Sequence, residues 1–247
     1  MTTPRRRFDE VRIALMLLTR LPVGRVQDPA PSLSDARWAF PLVGVPVGLV
    51  AWGAFAGAEA LGLGSGIAAW LALLAAALVT GGLHHDGLAD FADGIWGGQT
   101  PARRLEIMRD SRIGSYGVIA LILVMALMAE AIALSAADAA SFVALAVLSR
   151  VAMVGVLSAL PAARVDGLGD SAAGAAHWHV ALAALFASGA AALLGWAGLE
   201  VIAGMLIAAG VVAVLAKRAL GGQTGDVLGA TQMVTEAVGW CILVALI

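Results

Sequence analysis

Cysteine and lysine each occur once in this chain of 247 residues, as Cys241 and Lys217, and charged side chains make up only 13% of it. A lone cysteine forms no internal disulfide and supplies no metal-cluster spacing. The lone lysine lies outside any GxxxxGK[ST] pattern, which excludes a P-loop. GLGDSA, residues 167–172, matches G-x-G-x-x-A by letter, but no strand precedes it, which excludes a dinucleotide-binding fold. The net charge of −2 offers no basic excess for nucleic acid.

What is present is apolar. Hydrophobic residues make up 61% of the chain, and its mean hydropathy is +0.92. Soluble domains are about 45–50% apolar. The excess falls in long blocks of Ala, Leu, Val and Gly, long enough to cross a bilayer at about 20 residues per helix. The blocks show no alternation, which argues against a membrane β-barrel. The predicted fold is all-α: a single membrane-embedded helix bundle over residues 1–247.

Seven spans are predicted, at 39–61, 66–83, 117–137, 139–160, 179–197, 200–216 and 227–247. The apolar core near the N-terminus, Ile13 to Leu18, is too short for a signal peptide, and no small-x-small cleavage site follows. Phe8 to Leu21 is read instead as a membrane-surface helix. Gly44/Gly48 and Gly53/Gly57 form GxxxG pairs in the first span, expected to serve close helix packing. Fourteen of the fifteen Lys and Arg residues fall on segments that the seven-span topology puts on one side, Arg150 being the exception. The positive-inside rule makes that side cytoplasmic; the membrane is taken to be the cytoplasmic (inner) one, with lipid as its surroundings. The long polar loops 84–116, 161–178 and 217–226 share that side, so chemistry is expected there.

GGLHHDGLADFADGIWGG, Gly81 to Gly98, follows the second span. In a helix at about 100° per residue, Asp90 and Asp93 fall within about 40° of Asp86, with Leu88, Phe91 and Ile95 opposite. Like charges spaced i,i+4 repel, and charge near lipid costs about 2.5–3.5 kcal/mol. A divalent cation offsets both, and oxygen donors favour Mg²⁺ or Mn²⁺. The plainer reading is a solvated acidic helix end. The flanking glycines are expected to let a bulky ligand approach. His84 and His85 adjoin the stripe, His85 to its side and His84 away from it.

Two further segments carry candidate chemistry. In IMRDSRIGSYG, Arg109 and Arg112 bracket Asp110 and Ser111 at a helix start, where guanidinium forks and amide donors suit phosphate. The alternative is that these arginines are membrane anchors only. In GGQTGDVLGATQMVTE, Asp226 opens the last span, and Gln232 and Glu236 share a face inside it. Capping alone would explain Asp226. An intramembrane Glu is a functional candidate, with a structural bond to Arg150 as the other explanation. Asp86 and Asp226 each stand four residues after a Gly-Gly pair, an echo that a duplication would explain.

These three segments, with TRLPVG near the N-terminus and FPLVGVPVG at Phe40 to Gly48, resemble the cobalamin synthase family, the adenosylcobinamide-GDP ribazoletransferases, nearly end to end. Arg109 stands where lysine is expected in that family, and His85 at a position taken to vary. The resemblance implies a Mg²⁺-dependent transferase that joins adenosylcobinamide-GDP to α-ribazole or its 5′-phosphate and releases GMP. It implies catalytic and metal-binding roles for Asp86, Asp90 and Asp93, with Asp226 as a further metal ligand. Arg109, Asp110, Ser111, Arg112, Gln232, Glu236 and His84 become the substrate-contact set. The rival readings are a CDP-alcohol phosphotransferase, whose signature of Asp-Gly followed by Ala-Arg is missing, and a cation-coupled transporter using the intramembrane acids. A homo-oligomer and docking of other pathway enzymes on the loops both stay open.

Overall fold

The computed structural model describes residues 4–135, 137–164, 167–172 and 177–246. The described residues hold no strand, only an isolated parallel bridge between Ala162 and Gln223. Twelve α-helices are described: α1 Pro4–Leu18, α2 Leu33–Ala36, α3 Phe40–Ala60, α4 Ser65–Thr80, α5 Leu83–Gly97, α6 Pro101–Ile107, α7 Ser115–Leu134, α8 Ala139–Ala159, α9 Leu168–Ala172, α10 His177–Leu193, α11 Gly198–Leu220 and α12 Gly225–Ala245. The all-α, membrane-type architecture expected from composition is what forms.

The spans differ in number from the seven expected. Five helices are long and apolar enough to cross a membrane, and α4 with α5 makes a sixth only if a pair bent by 93° counts as one crossing. The predicted span 179–197 corresponds to a shorter apolar helix, Ala181–Leu193. At about 1.5 Å per residue, 13 residues fall short of a bilayer core of about 30 Å.

Helix α12 runs through the middle, against α5, α7, α8 and α11, while α3 packs on α4 and α8. Its Trp240 is buried edge-on to Phe142 at 4.8 Å, and Phe142 meets Phe55 of α3 at 5.6 Å. Side chains such as Ile122, Leu123, Leu206 and Ile207 face outward. An apolar surround would cover them.

Of the two glycine pairs in α3, only one is used for packing. A Cβ at Gly44 would lie 2.6 Å from the backbone of Ala146, and one at Gly48 2.7 Å from that of Phe142, so α3 and α8 touch main chain to main chain. Gly53 and Gly57 have open space at that radius. Pro46 lies within the continuous helix α3.

The basic segments gather at one end. The N-terminal helix starts at Pro4, earlier than expected, and Phe8 on it is outward-facing. It is also clasped from the inside: Trp38 Nε1 donates to Glu10 Oε2 at 2.6 Å, Arg7 pairs with Glu10 at 2.7 Å, and the Arg7 guanidinium stacks over Trp178 at 4.6 Å. Behind it, Arg37 Nε donates to the buried His179 Nδ1. Arg20 N donates to Val79 O at 2.7 Å, and Arg104 Nη1 to Ala219 O at 3.1 Å, tying three loops together.

Overpacking costs about 1–3 kcal/mol, or about 3–10 °C for a chain of this size. Gly44→Val should therefore lower the melting temperature of detergent-purified protein by about that much, while Gly53→Val should leave it within about 2 °C. Equal effects at both positions would refute the backbone contact between α3 and α8.

Candidate functional site

Helix α4 ends at Gly81 (φ 65°), followed by Gly82 (φ 72°), and two left-handed residues in a row turn the chain through 93° into α5. Only glycine adopts that conformation without steric cost. Helix α11 ends in the same way at Gly221 (φ 84°) before α12 begins. Each glycine turn thus launches a helix with an aspartate in its first turn, Asp86 on α5 and Asp226 on α12. Carboxylates are stabilised there by the helix dipole. The echo seen in the sequence is therefore a repeated local device.

The two helices cross at glycines. A Cβ on Gly87 would lie 3.1 Å from the Cα of Gly229 and 3.2 Å from that of Asp226, and a Cβ on Gly229 3.1 Å from the Cα of Gly87. That approach brings Asp86 and Asp226 onto one cavity of about 80 Å³, with Leu17, Phe40, His84 and Met153 on its other walls. Asp90 stands one turn further along α5, half-buried, where the charges of Asp86, Asp226 and Asp93 all act on it and Arg164 opposes them. Leu88, Phe91 and Ile95 are buried on the far face, as the helical pattern predicts.

Asp93 does something the stripe did not suggest. Its Oδ2 accepts from Gly114 N at 2.7 Å and its Oδ1 from Gly117 N at 2.9 Å. It caps α7, whose own N-cap residue, Gly114, has no side chain to do so. A Cβ at Gly114 or at Gly117 would run into this carboxylate. The glycines of IGSYG therefore serve Asp93.

Three glycines of the stretch Gly81 to Gly98 serve packing, which corrects part of the expectation. Gly87 meets α12, Gly94 meets Met108 and Gly98 meets Arg104. They let neighbouring helices in close, and no bulky ligand is needed to account for them.

Arg112 forks onto Asp110, with Nη2 to Oδ2 at 2.7 Å and Nε to Oδ1 at 3.1 Å. The Arg112 side chain, and then its backbone amide, hold the Asp110 carboxyl well below its ordinary range, at about 2. Arg109, Ser111 and Arg112 are all exposed in this loop. It borders a second cavity, of about 260 Å³, lined by Asp93, Arg103, Glu106, Asp110, Arg112 and Tyr116. The two cavities flank α5, one at each end of its acidic face.

Gln232 and Glu236 lie deeper, between α12 and α8. Ser149 Oγ donates to Glu236 Oε2 at 3.1 Å, Gln232 Nε2 donates to the same oxygen, and Arg150 Nη1 donates to Ala146 O at 2.8 Å. Arg150 acts on Glu236 as counter-charge, while Ser149 and Gln232 supply its hydrogen bonds. Buried His84 lines both this polar pocket and the cavity of Asp86 and Asp226, and its Nε2 has no partner among the described residues. Glu236 and Gln232 are therefore parts of a tie between helices, separated from the Asp86 cavity by His84.

The residue missed in the sequence is Arg164, whose Nη2 lies 2.5 Å from Asp226 Oδ2. In the sequence it is one more basic loop residue. A pairing across 62 positions leaves no local pattern to read.

Among the described residues, no three His, Cys, Asp or Glu side chains stand together as a ready metal cage. Magnesium does not require one: it is commonly held by one or two carboxylates together with substrate phosphates. Asp86 and Asp226 on one cavity, with Asp90 beside them, fit that mode; Asp93, occupied by two amides, fits it least.

Residues 10–244 match the family described as Cobalamin-5-phosphate synthase. Among similar proteins, the adenosylcobinamide-GDP ribazoletransferase of Bradyrhizobium diazoefficiens is 43% identical, over 96% of this chain and 93% of its own. That of Mesorhizobium japonicum is 41% identical, over 95% and 92%. That of Azorhizobium caulinodans is 43% identical, over 92% of both. No solved structure matches.

Losing a cap costs about 1–2 kcal/mol. Asp93→Ala should thus lower the melting temperature by about 3–8 °C, whereas Asp86→Asn and Asp90→Asn, which relieve repulsion, should not lower it. Thermal melts in detergent decide; a stable Asp93→Ala protein would contradict the capping role.

Proposed function

The chain belongs to the Cobalamin-5-phosphate synthase family, and we propose that it joins adenosylcobinamide-GDP to α-ribazole or its 5′-phosphate, releasing GMP, in a magnesium-dependent reaction. The observation that carries the assignment of the site is the shared cavity of Asp86 and Asp226 at the Gly87/Gly229 crossing. Asp86, Asp90 and Asp226 would hold magnesium together with the diphosphate. When bound, the ion supplies charge neutralisation for the diphosphate and for the departing nucleotide.

The remaining work falls to side chains. A ribazole hydroxyl oxygen bonds to the phosphorus on the cobinamide side. The bridging P–O bond to GMP breaks, and the hydroxyl proton passes to a site carboxylate. Arg109 and Arg112, on the loop ahead of α7, suit the steadying of phosphate through guanidinium forks. Arg112 would have to exchange its present partner, Asp110, for that role.

The basic end of the bundle is read as cytoplasmic by the positive-inside rule, with the inner membrane around the apolar faces. Lipid would then cover outward residues such as Ile122 and Leu206. The family match leaves neither the CDP-alcohol phosphotransferase nor the transporter reading with an observation in its favour.

Purified protein given adenosylcobinamide-GDP, α-ribazole and Mg²⁺ should release GMP, lose that activity in chelator and regain it on adding Mg²⁺. Asp90→Asn should reduce the rate by at least about 100-fold, in line with loss of a group acting on the transition state. Release of GMP at the wild-type rate by that variant would remove Asp90 from the chemistry.

A further inference from the structure

Arg164 lies on the short segment between α8 and α9. The residues just ahead of it are held: Ala163 N donates to Gln223 O and Gln223 N to Pro161 O, both at 2.8 Å. Gln223, fully buried, also donates from Nε2 to Gly169 O at 2.9 Å. Gly222 packs against the backbone of Pro161 and Ala163 so closely that no side chain would fit. The stretch leading into Arg164 is thereby tied to the residues that precede α12.

The Arg164 side chain is only half used. Its Nη2 pairs with Asp226 Oδ2, while its Nε is buried without a hydrogen-bond partner. On the other side of the pair, Thr224 Oγ1 donates to the same Oδ2, at 3.2 Å. Asp226 Oδ1 has no hydrogen-bond partner among the described residues. Asp226 lines the cavity it shares with Asp86, and the Arg164 and Asp226 side chains retain 16% and 21% of their exposure. A guanidinium with spare donors is suited to fork onto phosphate.

From this geometry we infer that Arg164 is a substrate-binding residue that stands in as counter-charge for Asp226, and exchanges that carboxylate for a diphosphate oxygen when a divalent cation takes Asp226. The inference rests on the proposed magnesium-dependent reading of the site. Before loading, the arginine offsets negative charge shared by Asp86, Asp90 and Asp226. On loading, the cation takes over that role, and the freed guanidinium meets the new negative charge brought by the substrate. No covalent bond changes in the exchange. An ion pair of one geometry is replaced by another a side chain's length away.

The signature is a pair of opposite effects, read without turnover. Mn²⁺ binding, followed by the free-ion paramagnetic resonance signal, should tighten about fivefold in Arg164→Gln, because a competitor for Asp226 is gone. Binding of GDP in the presence of Mn²⁺ should weaken about tenfold in the same protein. Arg164→Lys keeps the charge without the fork, so its Mn²⁺ affinity should stay near wild type while GDP still binds more weakly. A purely structural arginine would weaken both ligands together, and that result overturns the proposal, as does GDP affinity equal to wild type in the lysine variant. Absence of Mn²⁺ binding by the wild-type protein both with and without GDP would overturn the metal reading itself, and this inference with it; a wild type that binds Mn²⁺ and loses it in Asp226→Asn keeps the two failures apart.

Discussion

The close crossing of α5 and α12 at Gly87 and Gly229 governs the rest of this end of the molecule. Helices faced with ordinary side chains pack with axes about 8–10 Å apart, and small residues let them come closer. First-turn carboxylates on two such helices share a cavity only if the helix starts are brought together, and here glycine on both sides permits it. The left-handed turns at Gly81/Gly82 and Gly221 aim the two helices into that crossing. Without the bend, the polar helix α5 would continue the line of α4, and its acidic face would not meet α12.

Bringing carboxylates together creates repulsion that each of them meets differently. Asp93 is hydrogen-bonded by amide donors at the start of α7, a fixed part of the fold. Asp226 is paired with an arginine side chain, the one proposed above to yield to a ligand. Asp86 and Asp90 have no ion pair among the described residues. The acidic face of α5 is thus graded along its length, from open at Asp86 to structural at Asp93. Such a gradient suits an ion that arrives with the phosphates of its substrate, because the protein alone leaves coordination incomplete.

Much of this was legible in the sequence because it depends on local periodicity. The helical spacing of Asp86 and Asp90 opposite Leu88, Phe91 and Ile95, the all-helical class and the gathering of basic loops at one end follow from composition and pattern. Span number was less legible: α10 has an apolar sequence without the length, and the bend after α4 depends on backbone dihedrals that only the two glycines hint at. Asp93 was placed correctly on its face of α5 but misjudged in its partner, since its capping role needs the amides of residues 21 and 24 positions away. Arg164 escaped altogether for the same reason. Periodicity reports which face a residue occupies, and says nothing of what the rest of the chain brings to that face.

The buried polar tie between α12 and α8 then acquires a reason. Asp226 and Gly229 must both face α5, so α12 has to be fixed in rotation as well as in position. Apolar packing among Ala, Val and Leu specifies rotation weakly, because one smooth face resembles the next. Gln232 and Glu236 lie one to three turns further along, and their partners Ser149 and Arg150 sit on a helix that α3 grips through Gly44 and Gly48. A polar group in an apolar surround has few other partners to choose, which makes such a contact selective in angle even where its net stabilisation is small. Rotating α12 by one residue, about 100°, would break the tie and carry Asp226 away from Asp86 together. The intramembrane glutamate thereby acts at a distance of about 15 Å, at 1.5 Å per residue, on the carboxylate where the chemistry is proposed.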